Sequence, residues 1–193
     1  MFCDAGVTTV LLNYDLCPSV PLSEVIRQVR AGLAEVWRQA EELGGDRERL
    51  FISGHSAGGH LCAMLAATDC AALGLAPDAV KGAAIVSGLF DLTPMLRVPG
   101  GEDLLITAET VPDVSPLWHL PPARVPLVIA VGGLETREWI RQTDDYVAKC
   151  RRNGSDVTVI QPDYDNHYSI LYTFANPTTE LGDAVMRQMG LGR

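Results

Sequence analysis

The apolar residues of this chain fall into short blocks, and the spacing within each block predicts a different element. Residues 7–13, with Val7, Val10, Leu11 and Leu12, form a β-branched apolar run almost without alternation. That is the pattern of a strand buried on both faces of a parallel sheet. After a loop carrying Pro18 and Pro21, the residues Val25, Ile26, Val29, Leu33, Val36, Trp37 and Ala40 recur at spacings of three and four. They predict one long amphipathic helix that stops at Gly44-Gly45. Further short apolar runs at 50–53, 80–87, 127–131 and 157–160 read as strands. Helical spacing at 59–68, 138–152 and 178–189 supplies the elements between and after them. Strand and helix in alternation predict an α/β fold, a mostly parallel sheet with helices on both faces. Residues 91–126 interrupt this order with seven prolines and only weak periodicity, so they are expected to leave the sheet and to cover a site.

Composition narrows the class. With 47% apolar and 20% charged residues, the 193-residue chain can bury a sizeable core, and neither a repeat nor a linker divides it, so residues 1–193 read as one domain. The net charge of -9, with no basic cluster beyond Arg151-Arg152, argues against a nucleic-acid partner. The five cysteines are odd in number and scattered, which fits a reducing cytoplasm better than a disulfide framework. No basic segment leads into an apolar stretch at the start, and nowhere do about 18 consecutive apolar residues occur, so neither secretion nor a membrane span is expected.

The chemistry concentrates at Gly54-His55-Ser56-Ala57-Gly58, a G-x-S-x-G sequence placed between a predicted strand and a predicted helix. That context makes Ser56 the candidate nucleophile, held on a strained turn that the flanking glycines permit. The helix behind it directs free N–H groups at the site, so the Ala57 N–H is the candidate oxyanion donor. A serine hydroxyl needs an imidazole base, and this kind of site takes its partners in the chain order serine, acid, histidine. Of the four histidines, His55 and His60 belong to the elbow and its helix, and His119 lies in the proline-rich segment. His167 follows the last strand and is the candidate base. Glu135, just after the strand at 127–131, is the candidate acid, with Glu138, Asp163 and Asp165 in reserve. The spacing of His55 and His60 does not match a zinc helix, and no metal or cofactor is expected.

With Ser56, Glu135 and His167 placed, the sequence resembles the hormone-sensitive-lipase-like branch of the α/β-hydrolases, and within it the kynurenine formamidase (arylformamidase) group. The resemblance rests on Asn13-Tyr14-Asp15-Leu16-Cys17-Pro18, the elbow from Ser53 to Leu61, Ser115-Pro116-Leu117, the run from Glu135 to Thr143, and Asn166-His167-Tyr168-Ser169. It implies an α/β-hydrolase fold and hydrolysis of N-formyl-L-kynurenine to L-kynurenine and formate, in tryptophan catabolism. Two departures accompany it. Glu135 stands where these enzymes usually carry Asp, and their His-Gly-Gly segment, which adds oxyanion-hole N–H groups, is absent. The resemblance therefore implies an N-terminally incomplete chain, with the first strands of the sheet missing. Two other readings remain: a general carboxylesterase for short acyl or aryl esters, and a non-catalytic remnant serving as a binding module. The expected partner is a small formamide or ester, and the sequence leaves a homodimer open.

Overall fold

Four of the apolar runs are strands in the computed structural model, which describes residues 1–192. They are β1 (Leu50–His55), β2 (Val80–Val86), β3 (Leu127–Ala130) and β4 (Val157–Ile160), paired in that order and all parallel. In register, Ile52 lies opposite Ala83, Ala83 opposite Leu127, and Leu127 opposite Val157. The helices are α1 (Leu22–Gln39), α2 (Ala57–Ala66), the single turn α3 (Val111–Val114), α4 (Arg137–Arg152), α5 (Ile170–Phe174) and α6 (Glu180–Gln188). Each agrees with its predicted span to within a few residues, and α3 and α5 are additions too short to carry a helical period.

Successive side chains on a strand point to opposite faces, so one sheet feeds two cores. On one face Ala83, Ile85, Leu127 and Ile129 meet Val29 and Leu33 of α1, Met64 of α2 and Tyr146 of α4. On the other, Ala84, Val86, Val128, Ala130 and Ile160 meet Ile170 of α5 and Leu181 and Val185 of α6. Burying each large aliphatic side chain contributes about 1.5–3 kcal/mol, and because both faces are covered the central strands need no polar alternation.

The run at 7–13 corrects the sequence reading. It forms no strand: residues 8–14 make no backbone–backbone hydrogen bond among the described residues, and Leu11 is 90% exposed. β-Propensity reports which surface a residue fits, whereas a ladder also requires an adjacent edge. Here a groove of about 350 Å³, lined in part by Val7, Leu12, Leu50 and Ile52, separates the run from the outer side of β1. β1 is accordingly an edge strand with no fully buried residue, while every residue of β3 is buried.

The proline-rich segment leaves the sheet as expected and folds into short turns tied to α2 and α4. Gln142 Oε1 accepts from the Phe90 and Asp91 N–H groups at 2.9 Å each, and Lys149 lies 4.5 Å over the Trp118 ring. His60 Nε2–H donates to the Val114 carbonyl at 2.7 Å. Among the described residues no helix is long and apolar enough to cross a membrane.

His60 makes stability depend on pH. Complete burial pushes its pKa down from 6.5 to about 4. The unfolded chain therefore binds a proton that the folded chain refuses, and protonation favours unfolding. The stabilisation is present above pH 6.5 and is lost as the pH falls from there toward 4, by about 3 kcal/mol in all. Urea unfolding of the wild type and His60→Gln at several pH values in that window should show a flatter profile for the variant; parallel profiles would refute the assignment.

Candidate active site

The elbow is built by a clash that only glycine avoids. A Cβ on Gly54 would lie 2.0 Å from the Gly58 carbonyl oxygen, and one on Gly59 would lie 2.8 Å from the Val86 carbonyl oxygen. Gly58 has nothing within 4 Å of its Cβ position, so the second glycine of the motif faces open space, and the tight packing falls to Gly54 and Gly59. Between them Ser56 takes φ 57° and ψ -120°, a backbone region that costs of order 1–3 kcal/mol and persists only where surrounding structure enforces it. The Ser56 N–H is fixed by the Val86 carbonyl at 3.0 Å, and α2 starts at the next residue. As the first residue of α2, Ala57 has no acceptor for its N–H within the helix.

The loops after β3 and β4 lie backbone against backbone. A Cβ on Gly132 would come within 2.3 Å of the Asp165 carbonyl oxygen, and one on Gly133 within 2.7 Å of that of Asp163. Leu134 N–H donates to the Asp165 carbonyl and Gly133 N–H to that of Pro162, each at 2.9 Å. This contact carries Glu135 to His167. His167 Nδ1–H donates to Glu135 Oε2 at 2.7 Å, and the Ser56 hydroxyl donates to His167 Nε2 at 2.8 Å. The three residues thus meet in one hydrogen-bonded chain at the carboxyl ends of β1, β3 and β4, where ligands bind in open α/β sheets.

Two of the three reserve acids are engaged elsewhere and the third is exposed. Asp165 accepts from the hydroxyls of Ser169 and Thr173, Asp163 is exposed, and Glu138 is paired with Arg141, which holds its carboxyl down at about 2. Among the described residues no group of three or more His, Cys, Asp and Glu side chains is placed to hold a metal ion.

Three neighbours of this chain were not found from the sequence. Ser87, fully buried at the end of β2 with φ 49°, donates its hydroxyl to Glu135 Oε1 at 2.5 Å. Trp139 Nε1–H donates to the Ser87 carbonyl at 2.8 Å, and its ring stands edge-on to His167 at 5.0 Å. His55 Nε2–H donates to the His167 carbonyl at 2.7 Å, and burial holds the pKa of His55 below its usual value. A polar residue at the carboxyl end of a predicted strand was the available signal for Ser87. For His55 it was membership of the elbow.

A family model described as alpha/beta hydrolase fold matches residues 2–111. The chain belongs to the α/β-hydrolase fold family. Kynurenine formamidase of Salmo salar is 30% identical to this α/β-hydrolase over 191 residues, 96% of this chain and 63% of the relative. Kynurenine formamidase of Danio rerio is 28% identical over 190 residues with the same coverage. The chain therefore spans less than two thirds of the length of these curated relatives. Among solved structures, an esterase of Pyrobaculum calidifontis superposes with a TM-score of 0.67 over 92% of this chain and 63% of its own, at 17% identity.

The elbow geometry separates its two motif glycines. Gly54→Ala should destabilise the protein by about 3 kcal/mol or more, because no side-chain movement relieves a Cβ placed against backbone. Gly58→Ala should melt within a few degrees of wild type. Thermal unfolding of both variants checks this, and equal losses would contradict it.

Proposed function

We propose that Ser56, His167 and Glu135 are a catalytic triad and that the chain hydrolyses an aryl formamide, N-formyl-L-kynurenine, to L-kynurenine and formate. The observation that carries the reading is the continuous hydrogen-bonded path from Ser56 Oγ through His167 to Glu135, at 2.8 and 2.7 Å, in a chain 30% identical to a kynurenine formamidase. Trp139 and Tyr168, with rings 5.0 and 5.5 Å from that of His167, add aromatic surface beside the nucleophile, which suits an aryl substrate.

In this mechanism Ser56 Oγ attacks the formyl carbon while its proton passes to His167 Nε2. Glu135 stabilises the imidazolium that results, and the Ala57 N–H donates to the developing oxyanion. Collapse of the tetrahedral intermediate breaks the C–N bond, and His167 returns the proton to the leaving arylamine. A water molecule, deprotonated by His167, then attacks the formyl ester and releases formate and Ser56. The formyl group is small, so the acyl side needs little space.

Ser56→Ala should lower kcat for N-formyl-L-kynurenine by about 10⁴-fold or more, with the fold intact by circular dichroism. Turnover of p-nitrophenyl acetate but not of N-formyl-L-kynurenine would favour the carboxylesterase reading instead. A wild-type chain whose Ser56 resists a fluorophosphonate would point to the binding module.

A further inference from the structure

Ser87 is a residue that none of the chemistry above uses, and its backbone is costly. It lies one residue past the end of β2, fully buried, with φ 49°. Glycine adopts that region freely, whereas serine does not. Every backbone group of Ser87 is nevertheless committed. Its N–H donates to the Ala130 carbonyl at 2.7 Å, continuing the ladder toward β3, and its carbonyl accepts from Trp139 Nε1–H at 2.8 Å. Neither bond needs a side chain, so glycine would satisfy both with less strain. What serine adds is the hydroxyl, and the hydroxyl donates to Glu135 Oε1 at 2.5 Å. A strained non-glycine residue whose only distinct contact is to one functional group points to a role for that contact.

We propose that Ser87 is a positioning residue for Glu135: its hydroxyl, with the Gly132 N–H, holds Oε1 so that Oε2 faces His167 Nδ1. The inference rests on the triad reading. Glu135 has χ angles enough to swing its carboxylate, and its side chain is only 1% exposed, so protein donors must set its rotation. The Gly132 N–H reaches Oε1 at 2.9 Å from the residue's own loop. Ser87 reaches the same oxygen from the neighbouring strand, and two donors on one oxygen fix the plane of the carboxylate where one leaves it free to pivot. Trp139 closes the arrangement, because the indole that holds the Ser87 carbonyl also flanks the His167 ring. The acid, the base and the base's aromatic wall are therefore referred to one backbone position at the end of β2.

The test is steady-state hydrolysis of p-nitrophenyl acetate, with the rate of fluorophosphonate labelling of Ser56 as a second readout, on five proteins. These are the wild type, Ser87→Ala, Ser87→Gly, Glu135→Gln, and the double variant Ser87→Ala/Glu135→Gln. Both single Ser87 variants should lose about 10- to 100-fold in kcat and in labelling rate with KM little changed, the signature of a misplaced catalytic group rather than of lost binding. Ser87→Gly, which relieves the backbone, should do so while melting higher than Ser87→Ala. In the Glu135→Gln background Ser87→Ala should add no further loss, since two residues acting as a unit are not additive. Ser87 variants that keep wild-type kcat while Glu135→Gln loses it would overturn the role of Ser87 and leave the triad standing. A Glu135→Gln variant with wild-type kcat, or a wild-type chain that fluorophosphonate does not label, would overturn the triad reading and this inference with it.

Discussion

The arrangement at the carboxyl end of the sheet depends on one buried carboxylate. The Glu135 side chain is 1% exposed, and an ionised carboxyl withdrawn from water is tolerable only where hydrogen bonds replace its hydration. It receives three: from the Gly132 N–H, the Ser87 hydroxyl and His167 Nδ1–H. The donors come from the segments following β3, β2 and β4 in turn. The charge is thus satisfied only if three adjacent strand ends hold their relative positions, and breaking any of the three contacts leaves part of it unpaired. The placement of His167, which in turn receives the Ser56 hydroxyl, follows from that requirement.

Backbone proximity is what makes those contacts short. Glycines at 132 and 133 let the loop after β3 lie on the carbonyls of Asp163 and Asp165, and glycines at 54 and 59 let β1, α2 and β2 converge on the elbow. A loop by itself orders a side chain poorly, but a loop clamped to a neighbouring backbone inherits the rigidity of the sheet. The two cores beneath supply that rigidity, since β2 and β3 are packed on both faces and have little room to shift.

How far the sequence reveals this protein follows from what each signal measures. Hydrophobic spacing reports burial of a face, so the four paired strands and the long helices α1 and α4 were all readable from periodicity. Residues 7–13 have the same apolar character but make no ladder bond among the described residues, and no pattern within a segment reveals whether a neighbouring strand will pair with it. Ser56 was legible because strand, glycine, serine and helix must occur together. Glu135 and His167 were legible because chain order restricts the choice. Ser87, Trp139 and His55 were not, because each acts through a contact across the fold between residues with no characteristic spacing. The glycines were partly legible: the motif marks Gly54 and Gly58 alike, yet only the first is sterically required, and Gly59, outside the motif, carries the second constraint.

His55 completes the physical account. It occupies the position before Ser56, yet its imidazole turns away from that residue to donate to the main-chain carbonyl of His167, with the two rings 4.6 Å apart. Serine and histidine are therefore joined twice, once through side chains and once through this backbone contact, and the loop bearing His167 cannot drift from the elbow without breaking both. The same closeness creates an electrostatic demand. If His167 is to take the serine proton, a second imidazolium beside it would oppose the transfer. Burial lowers the pKa of His55 and favours its neutral form, and a neutral ring with its proton on Nε2 is the tautomer that the carbonyl requires. Desolvation thus spares His167 a competing charge, while the carbonyl contact holds the His55 ring in place.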